Sequence, residues 1–395
     1  MKLYILFIYS TLFYGVSVTF GAKSAGGAFS WPNILLLLLV GTSVIKTFMR
    51  GRLKVRIEHI LISGFIIVAL LGNFIVKDFG LFITFLVAII RGVALIWITP
   101  VFVRSTAQMQ QVLNAIIGTA LLGSLTAFIQ EFLFLQNGTL SMGLVSLNGG
   151  YFTTVMNNKE WLRVSSFLTD PNVFAVYLLL GISIVYVRLL NPTYFRYRKY
   201  YLIMLLCLIA AILLTFSRGA IVALVLLLGY MLIFYNQGKR ISFTRLSITL
   251  LIIVVFFFIF QSRGVIEERS SLPRLFLLQE AVWLTLQYPL LGVGVGNMTA
   301  HSAIGQASHN IFLEVSGGTG LIGFSLFSLL LIVSWRRSLR YPQLHSAVMV
   351  AIFASLFLST LTNVMFWLPF ALSSALVKQK QPVISDLQSH ENSPS

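Results

Sequence analysis

The sequence predicts an all-α, polytopic membrane protein of about twelve transmembrane helices with two longer polar segments, and three observations carry that prediction. Of its 395 residues 57% are hydrophobic and only 10% charged, with a mean hydropathy of +0.91, whereas soluble domains carry about 25% charged residues. Apolar runs recur at close to the ~20 residues needed to cross about 30 Å of hydrocarbon. Lys and Arg gather in alternate short loops, as the positive-inside rule requires. That rule also accounts for the net charge of +17. No basic cluster is interleaved with aromatic residues on a soluble domain, so no nucleic-acid partner is expected. The single cysteine, Cys207, lies inside an apolar run, which leaves no room for an intramolecular disulfide framework or a cysteine-rich metal site.

The elements follow in order. Lys2 precedes the run 3–20, and no A-x-A-like site follows it, so this run is expected to remain as the first span rather than leave as a signal peptide. The next spans are 33–48, 59–76, 79–103 and 110–135. A polar stretch from 136 to 171 interrupts the pattern before the sixth span, 172–189. Spans 201–216 and 220–235 are separated only by Ser217-Arg218-Gly219. The ninth is 247–260, a second polar segment runs from 261 to about 307, and the tenth is 309–335. The last apolar region, 346–377, is too long for one crossing, so it is expected to be a tight hairpin turning near Asn363. This gives twelve spans, or eleven if the region crosses once. The organisation is then 1–159 N-terminal helices, 160–335 a central membrane region, 336–378 a C-terminal hairpin and 379–395 a polar, disordered tail.

The cations test the orientation. With the N-terminus inside, the cytoplasmic face receives Lys2, Lys46, Arg50, Arg52, Lys54, Arg56, Arg104, Arg188, Arg196, Arg198, Lys199, Lys239, Arg240, Arg245, Arg336, Arg337, Arg340, Lys378 and Lys380, which is most of the 28 Lys and Arg. The outer face receives Lys23, Lys77, Lys159, Arg163, Arg218, Arg263, Arg269 and Arg274. Both long polar segments, the Ser-Arg-Gly turn and His309 therefore come to the outer face.

A cavity there would gather Arg163, Arg218 and Arg274 with His309, Asp170 and Glu314. Three guanidinium forks suit phosphate, because each pairs two oxygens and stays charged. One imidazole suits proton transfer, since its ordinary pKa is about 6.5. ATP is not available on that side, so the phosphate belongs to a lipid-linked substrate. Each residue also has a simpler reading. Arg218 at a helix end fits a cation reaching for headgroups, and Arg163 and Arg274 fit anionic lipid. His309 fits a helix-cap neighbour. Gly292-Val293-Gly294-Val295-Gly296-Asn297 lacks both the G-x-G-x-x-G spacing and a preceding strand, so a structural turn is the better reading. Ser316, Gly320 and Gly323 are spaced for close helix packing. Arg91, in mid-span, needs a partner or a wet cavity and is a functional candidate, with Glu131 as the mate considered. Ser271-Leu272-Pro273-Arg274 opens an expected amphipathic helix to Tyr288, with Leu275, Leu278, Val282 and Leu286 toward the membrane surface and Glu280 near the rim.

Taken together, four motifs in order resemble the bacterial O-antigen ligase and polymerase superfamily. They are Arg163…Asp170-Pro171-Asn172; Ser217-Arg218-Gly219-Ala220; Arg274…Trp283…Pro289-Leu290-Leu291-Gly292-Val293-Gly294-Val295-Gly296-Asn297; and His309-Asn310-Ile311-Phe312-Leu313-Glu314…Gly320-Leu321-Ile322-Gly323. The resemblance covers about 160–335, while the first five spans match only as membrane helices. It implies a GT-C-like, inverting, metal-independent glycosyltransferase that needs no cofactor. Its donor is an undecaprenyl-diphosphate-linked oligosaccharide, used at the outer face of the bacterial plasma membrane. It also implies His309 as base, Arg163 and Arg218 on the diphosphate, and Arg274, Asp170, Asn172, Asn310, Glu314 and Arg91 as substrate-binding candidates. A flippase and a chain-length regulator are the implied protein partners, and membrane lipid surrounds the chain. A polymerase is the first expectation, a ligase to lipid A core the second. The competing class is a lipid-linked oligosaccharide flippase. The two halves show no inverted repeat, and the chemically capable residues cluster at one face, both of which weigh against a transporter.

Overall fold

The computed structural model describes residues 1–13, 30–50, 55–72, 76–137, 141–142, 145–146, 153–156, 159–168, 170–234, 268–303, 305–306 and 308–376, with backbone alone at 50, 137, 141–160 and 268–275. The helices among them are α1 (Lys2–Ser10), α2 (Trp31–Arg50), α3 (Ile57–Leu71), α4 (Phe79–Phe102), α5 (Thr106–Asn137), α6 (Pro171–Leu190), α7 (Arg198–Leu214), α8 (Arg218–Phe234), α9 (Glu268–Gln287), α10 (Met298–His301), α11 (Ile311–Ser338), α12 (Pro342–Ser355) and α13 (Val364–Ala375). Two short antiparallel hairpins, β1 (Ser141–Met142) with β2 (Val145–Ser146) and β3 (Thr153–Met156) with β4 (Lys159–Leu162), occupy the first polar stretch. The chain is thus predominantly helical. Among the described residues six helices are long and apolar enough to cross a membrane alone. The expected ninth span, the second half of the first, and the tail 379–395 lie outside the described residues.

Helix α6 is the hub. It is apolar on every side, and so it is buried on every side: from Phe174 to Val187 every residue is buried. It packs against α5, α7, α8, α12 and α13. Close approach is bought with glycine where aromatics cross: a methyl at Gly92 on α4 would fall 2.2 Å from the Trp367 ring of α13, and one at Gly123 on α5 would meet Phe174 at 2.7 Å. Leu37, Phe48 and Ile233 instead point outward at 72%, 89% and 80% exposure, as side chains facing lipid do.

The helices start and finish at two opposite ends. At one end the start of α3 meets the finish of α11, through Glu58 and Arg337 at 2.6 Å. There Arg56 also donates to the carbonyls of Ser374 and Leu376 at the finish of α13. Arg188, at the finish of α6, bonds Gln343 of α12 and Gln110 of α5. At the other end lie the starts of α4, α6, α8, α11 and α13. Four of these are capped by Asp78, Asp170, Asn310 and Asn363, whose side chains accept from Leu81, Asn172, Leu313 and Met365.

Three expectations need correction. Helix α9 begins at Glu268, a turn earlier than the Ser271 cap expected, so Pro273 lies inside it. Both of its faces are apolar. Leu277, Ala281 and Leu284 are buried against the protein, while Val282, Trp283 and Leu286 are 47%, 56% and 74% exposed. Arg91 donates to Asn33 of α2 at 3.1 Å, not to Glu131, because α4 packs on α2, α3 and α13 whereas α5 packs on α1, α6 and α7. Finally, Gly320 is not a helix-packing glycine but the site of a break in α11.

Candidate active site

The capped end carries two polar clusters. In the first, the strand leaving β4 runs beside the finish of α7, where Val164 donates to the Leu214 carbonyl at 3.2 Å. Arg163 then donates from Nε to the Thr215 carbonyl at 3.2 Å and from Nη2 to Asn172 Oδ1 at 3.4 Å. The Ser217 hydroxyl donates to the same Asn172 oxygen at 2.7 Å and accepts from the Ala220 amide, which caps α8. Asn172 thereby links Arg163 to the turn that opens on Arg218, the first residue of α8. Asp170 is committed to capping α6, accepting from Asn172 N at 2.7 Å. Gln130 of α5 accepts from the amides of Ser165 and Ser166 and donates to the Ser166 carbonyl. Sequence reading missed this glutamine, because an amide within an apolar span has no motif to announce it.

In the second cluster Ser308, His309 and Asn310 lead into α11. Asn310 accepts from Leu313 N at 3.2 Å and donates through Nδ2 to the Leu356 carbonyl at 3.3 Å. The Glu314 carboxylate accepts from the Ser359 hydroxyl and from the His309 backbone N–H. Ser359 belongs to the turn between α12 and α13, and its neighbour Phe357 packs on Gly219, where an added methyl would lie 2.9 Å from Phe357. This turn therefore joins the two clusters. Arg274 is on α9, with only its backbone described, and Arg91 is on α4 with Asn33 as partner.

A wedge completes this end. In a continuous helix Leu321 N would donate to the Gly317 carbonyl. Here Gly320 takes φ 63°, ψ −170°, Leu321 N donates to the Pro289 carbonyl at 2.7 Å, and the Gly317 and Gly318 carbonyls accept from Val293 and Gly294 at 2.9 and 3.0 Å. The run 289–294 thus replaces the hydrogen bonds that the break removes. Gly292 and Gly294 have φ of 67° and 91°, and a methyl on Gly292 would sit 2.4 Å from the Gly317 carbonyl. These glycines make a structural turn, as their spacing indicated, but one that docks into a helix. Asn297, fully buried, then ties the wedge to α4, accepting from the amides of Lys77 and Asp78 and donating to the Asp78 carbonyl.

The backbone marks the same places. Among the described residues the non-glycine positions with positive φ are Ser166 at 56°, Phe216 at 49° and His309 at 55°. Left-handed backbone is disfavoured for any residue with a Cβ and is retained where surrounding contacts impose it, often at working sites. His309 is itself a candidate, Phe216 lies two residues before Arg218, and Ser166 lies three after Arg163. The starts of α6, α8, α11 and α13 also direct their positive dipole ends to this end of the bundle, an arrangement that favours an anion.

Chemically, the end offers guanidinium groups for an anion and an imidazole for a proton. Residues 203–328 match the family model described as O-antigen ligase, a stretch that includes Arg218, Arg274, His309 and Glu314 but not Arg163 or the α12–α13 turn. No curated protein matches the chain. Over residues 203–328 the chain is similar to the O-antigen ligase and polymerase superfamily.

Proposed function

We propose that this chain is a membrane glycosyltransferase that polymerises undecaprenyl-diphosphate-linked oligosaccharide repeat units into surface polysaccharide, such as O-antigen, capsule or exopolysaccharide. On this reading it is a GT-C-like protein of twelve spans in the bacterial plasma membrane, with its capped end outside. A flippase supplies its substrate and a chain-length regulator works beside it. The observation that carries the reading is the meeting of Arg163, Arg218 and four helix starts at the end that also holds His309.

His309 takes the proton of an acceptor sugar hydroxyl. That oxygen forms a bond to the anomeric carbon of the donor from the face opposite the diphosphate. The anomeric C–O bond breaks, its electron pair leaves with the diphosphate, and configuration inverts. Arg163 and Arg218 stabilise the charge gathering on the departing diphosphate, the task that divalent cations perform in other phosphate chemistry. The reaction is metal-independent on this reading. Arg274 on α9 extends the anion-binding rim. Asn172, Asp170, Asn310 and Glu314 hold the two clusters in place around the substrate, and Arg91 lies deeper along α4.

A ligase is the second reading, favoured by the description of the matching family model. Gel analysis of surface polysaccharide from a deletion strain decides between them. Single repeat units on lipid A core support a lost polymerase, and unattached polymer means a ligase. Repeat units trapped on the inner leaflet mean a flippase and overturn the glycosyltransferase reading. Complementation with His309→Ala must then fail to restore polymer, since loss of a general base costs about 10²–10⁴ in rate.

A further inference from the structure

The α12–α13 turn lies beyond the family-matched region and carries neither a guanidinium nor an imidazole. It nevertheless grips both clusters. Its Leu356 carbonyl accepts from Asn310, its Ser359 hydroxyl donates to Glu314, and Phe357 packs on Gly219 beside Arg218. Glu314 in turn accepts from the backbone N–H of His309. The His309 peptide is left-handed, at φ 55°, so its direction is set by what holds it. The turn itself is anchored: Asn363 caps α13, α12 packs on α6 and α8, and α13 packs on α4. Trp367 adds a hydrogen bond from its indole N–H to the Leu361 carbonyl at 2.7 Å.

We propose that the turn at 356–363 is a positioning element of the active site, in which Ser359 acts through Glu314 to aim His309 while Phe357 fixes the distance to Arg218. The proposal rests on the reading of His309 as base given above. A hydroxyl and a carboxylate suit the task because the carboxylate accepts from a peptide N–H while the hydroxyl, donating to the carboxylate, fixes its direction. Ser359 and Glu314 are then positioning residues, and their effect belongs in the chemical step. Misplacement of a reacting group by about 1 Å lowers a rate by as much as about 10²-fold.

The experiment uses the full-length chain in membrane vesicles with lipid-linked repeat units as donor, and measures kcat and donor KM per molecule of inserted protein. Ser359→Ala is expected to lower kcat about 10- to 100-fold with donor KM changed less than about twofold. Ser359→Thr, which keeps the hydroxyl, is expected to restore kcat to within about threefold, on the same positioning argument. An unchanged kcat in Ser359→Ala, or a loss confined to KM, overturns the proposal. So does a failure of Ser359→Thr to recover activity despite normal insertion. If Ser359→Ala does not accumulate in the membrane, Ser359→Cys decides on the same criterion, because it keeps the side-chain shape and replaces the hydroxyl with a weak thiol donor. His309→Ala, run alongside, separates the two failures. An inactive His309→Ala beside a fully active Ser359→Ala sinks the positioning role alone, whereas a fully active His309→Ala sinks the base assignment on which it rests.

Discussion

The two ends of the bundle treat their polar groups in opposite ways. At the end where Glu58 meets Arg337, charged and polar side chains close on one another. The Glu58 carboxylate, with no exposure, meets Arg337. Arg188 is held by two glutamines, with the rings of Tyr194 and Tyr201 within 6 Å. His345 uses both ring nitrogens, one on Ser338 and one on Tyr230. At the capped end, Arg163 and Asn310 are held by backbone carbonyls. All three left-handed non-glycine residues among the described ones lie there. Charge at the first end is consumed in holding helices together. At the second end the chain itself is held by caps, amides and carbonyls, and guanidinium and imidazole groups are gathered among them. An end built in the second way is suited to receive a charged substrate.

Substitutions can break this contrast, and the largest effect is expected at Arg218. Arg218→Lys keeps the charge and loses the fork, so turnover should fall by about 10²–10³, the usual cost of a lost charge stabiliser, with normal protein in the membrane. Wild-type turnover would mean that Arg218 serves only lipid headgroups. Gly320→Ala comes next. It places a Cβ 2.3 Å from the Leu290 carbonyl, in a backbone region that essentially only glycine adopts. Stability in detergent should fall by about 3 kcal/mol, the upper part of the range for such strain, and activity should fall with it. At the opposite end Arg337→Ala leaves Glu58 buried without its partner. Because Arg337 is itself 34% exposed, the expected loss is about 2 kcal/mol, below the range for fully buried pairs. Turnover per folded molecule should stay unchanged, and a specific loss of turnover would end the claim that this end is structural. Smallest is Ser338→Ala, which removes one hydrogen-bond partner from His345 and should cost about 1 kcal/mol in thermal unfolding with no change in turnover.

Much of this architecture was legible in the amino-acid order. Helices α4, α6 and α8 begin within about two residues of the apolar runs that announced them, since hydrocarbon length fixes a span more tightly than propensity does. The turn at Asn363 was legible as well, because a small amide in a long apolar region must cap something. What could not be read was the choice among tertiary partners. Arg91 has Asn33 rather than Glu131 beside it because α2, not α5, packs on α4. Asp170 and Asn310 carried chemistry in the motif and turned out to be caps as well. Of the stripe assigned to α9, Val282 and Leu286 are exposed, and the buried face, Leu277, Ala281 and Leu284, was hidden because both faces are apolar. Ser359 gave no signal at all, being one hydroxyl in a stretch of Ser, Thr and Leu.

The wedge of 289–294 in α11 also bears on how the protein is assembled. Backbone N–H and C=O groups left open in hydrocarbon cost several kcal/mol each, so α11 is most stable as an unbroken helix until its replacement partners arrive. The break at Gly320 therefore depends on the docking of 289–294. It converts a passive membrane anchor into two half-helices whose upper part, bearing His309, Asn310 and Glu314, takes its direction from the loop and not from the helix below. A nascent chain stalled before that docking would be fully inserted and still lack an assembled site.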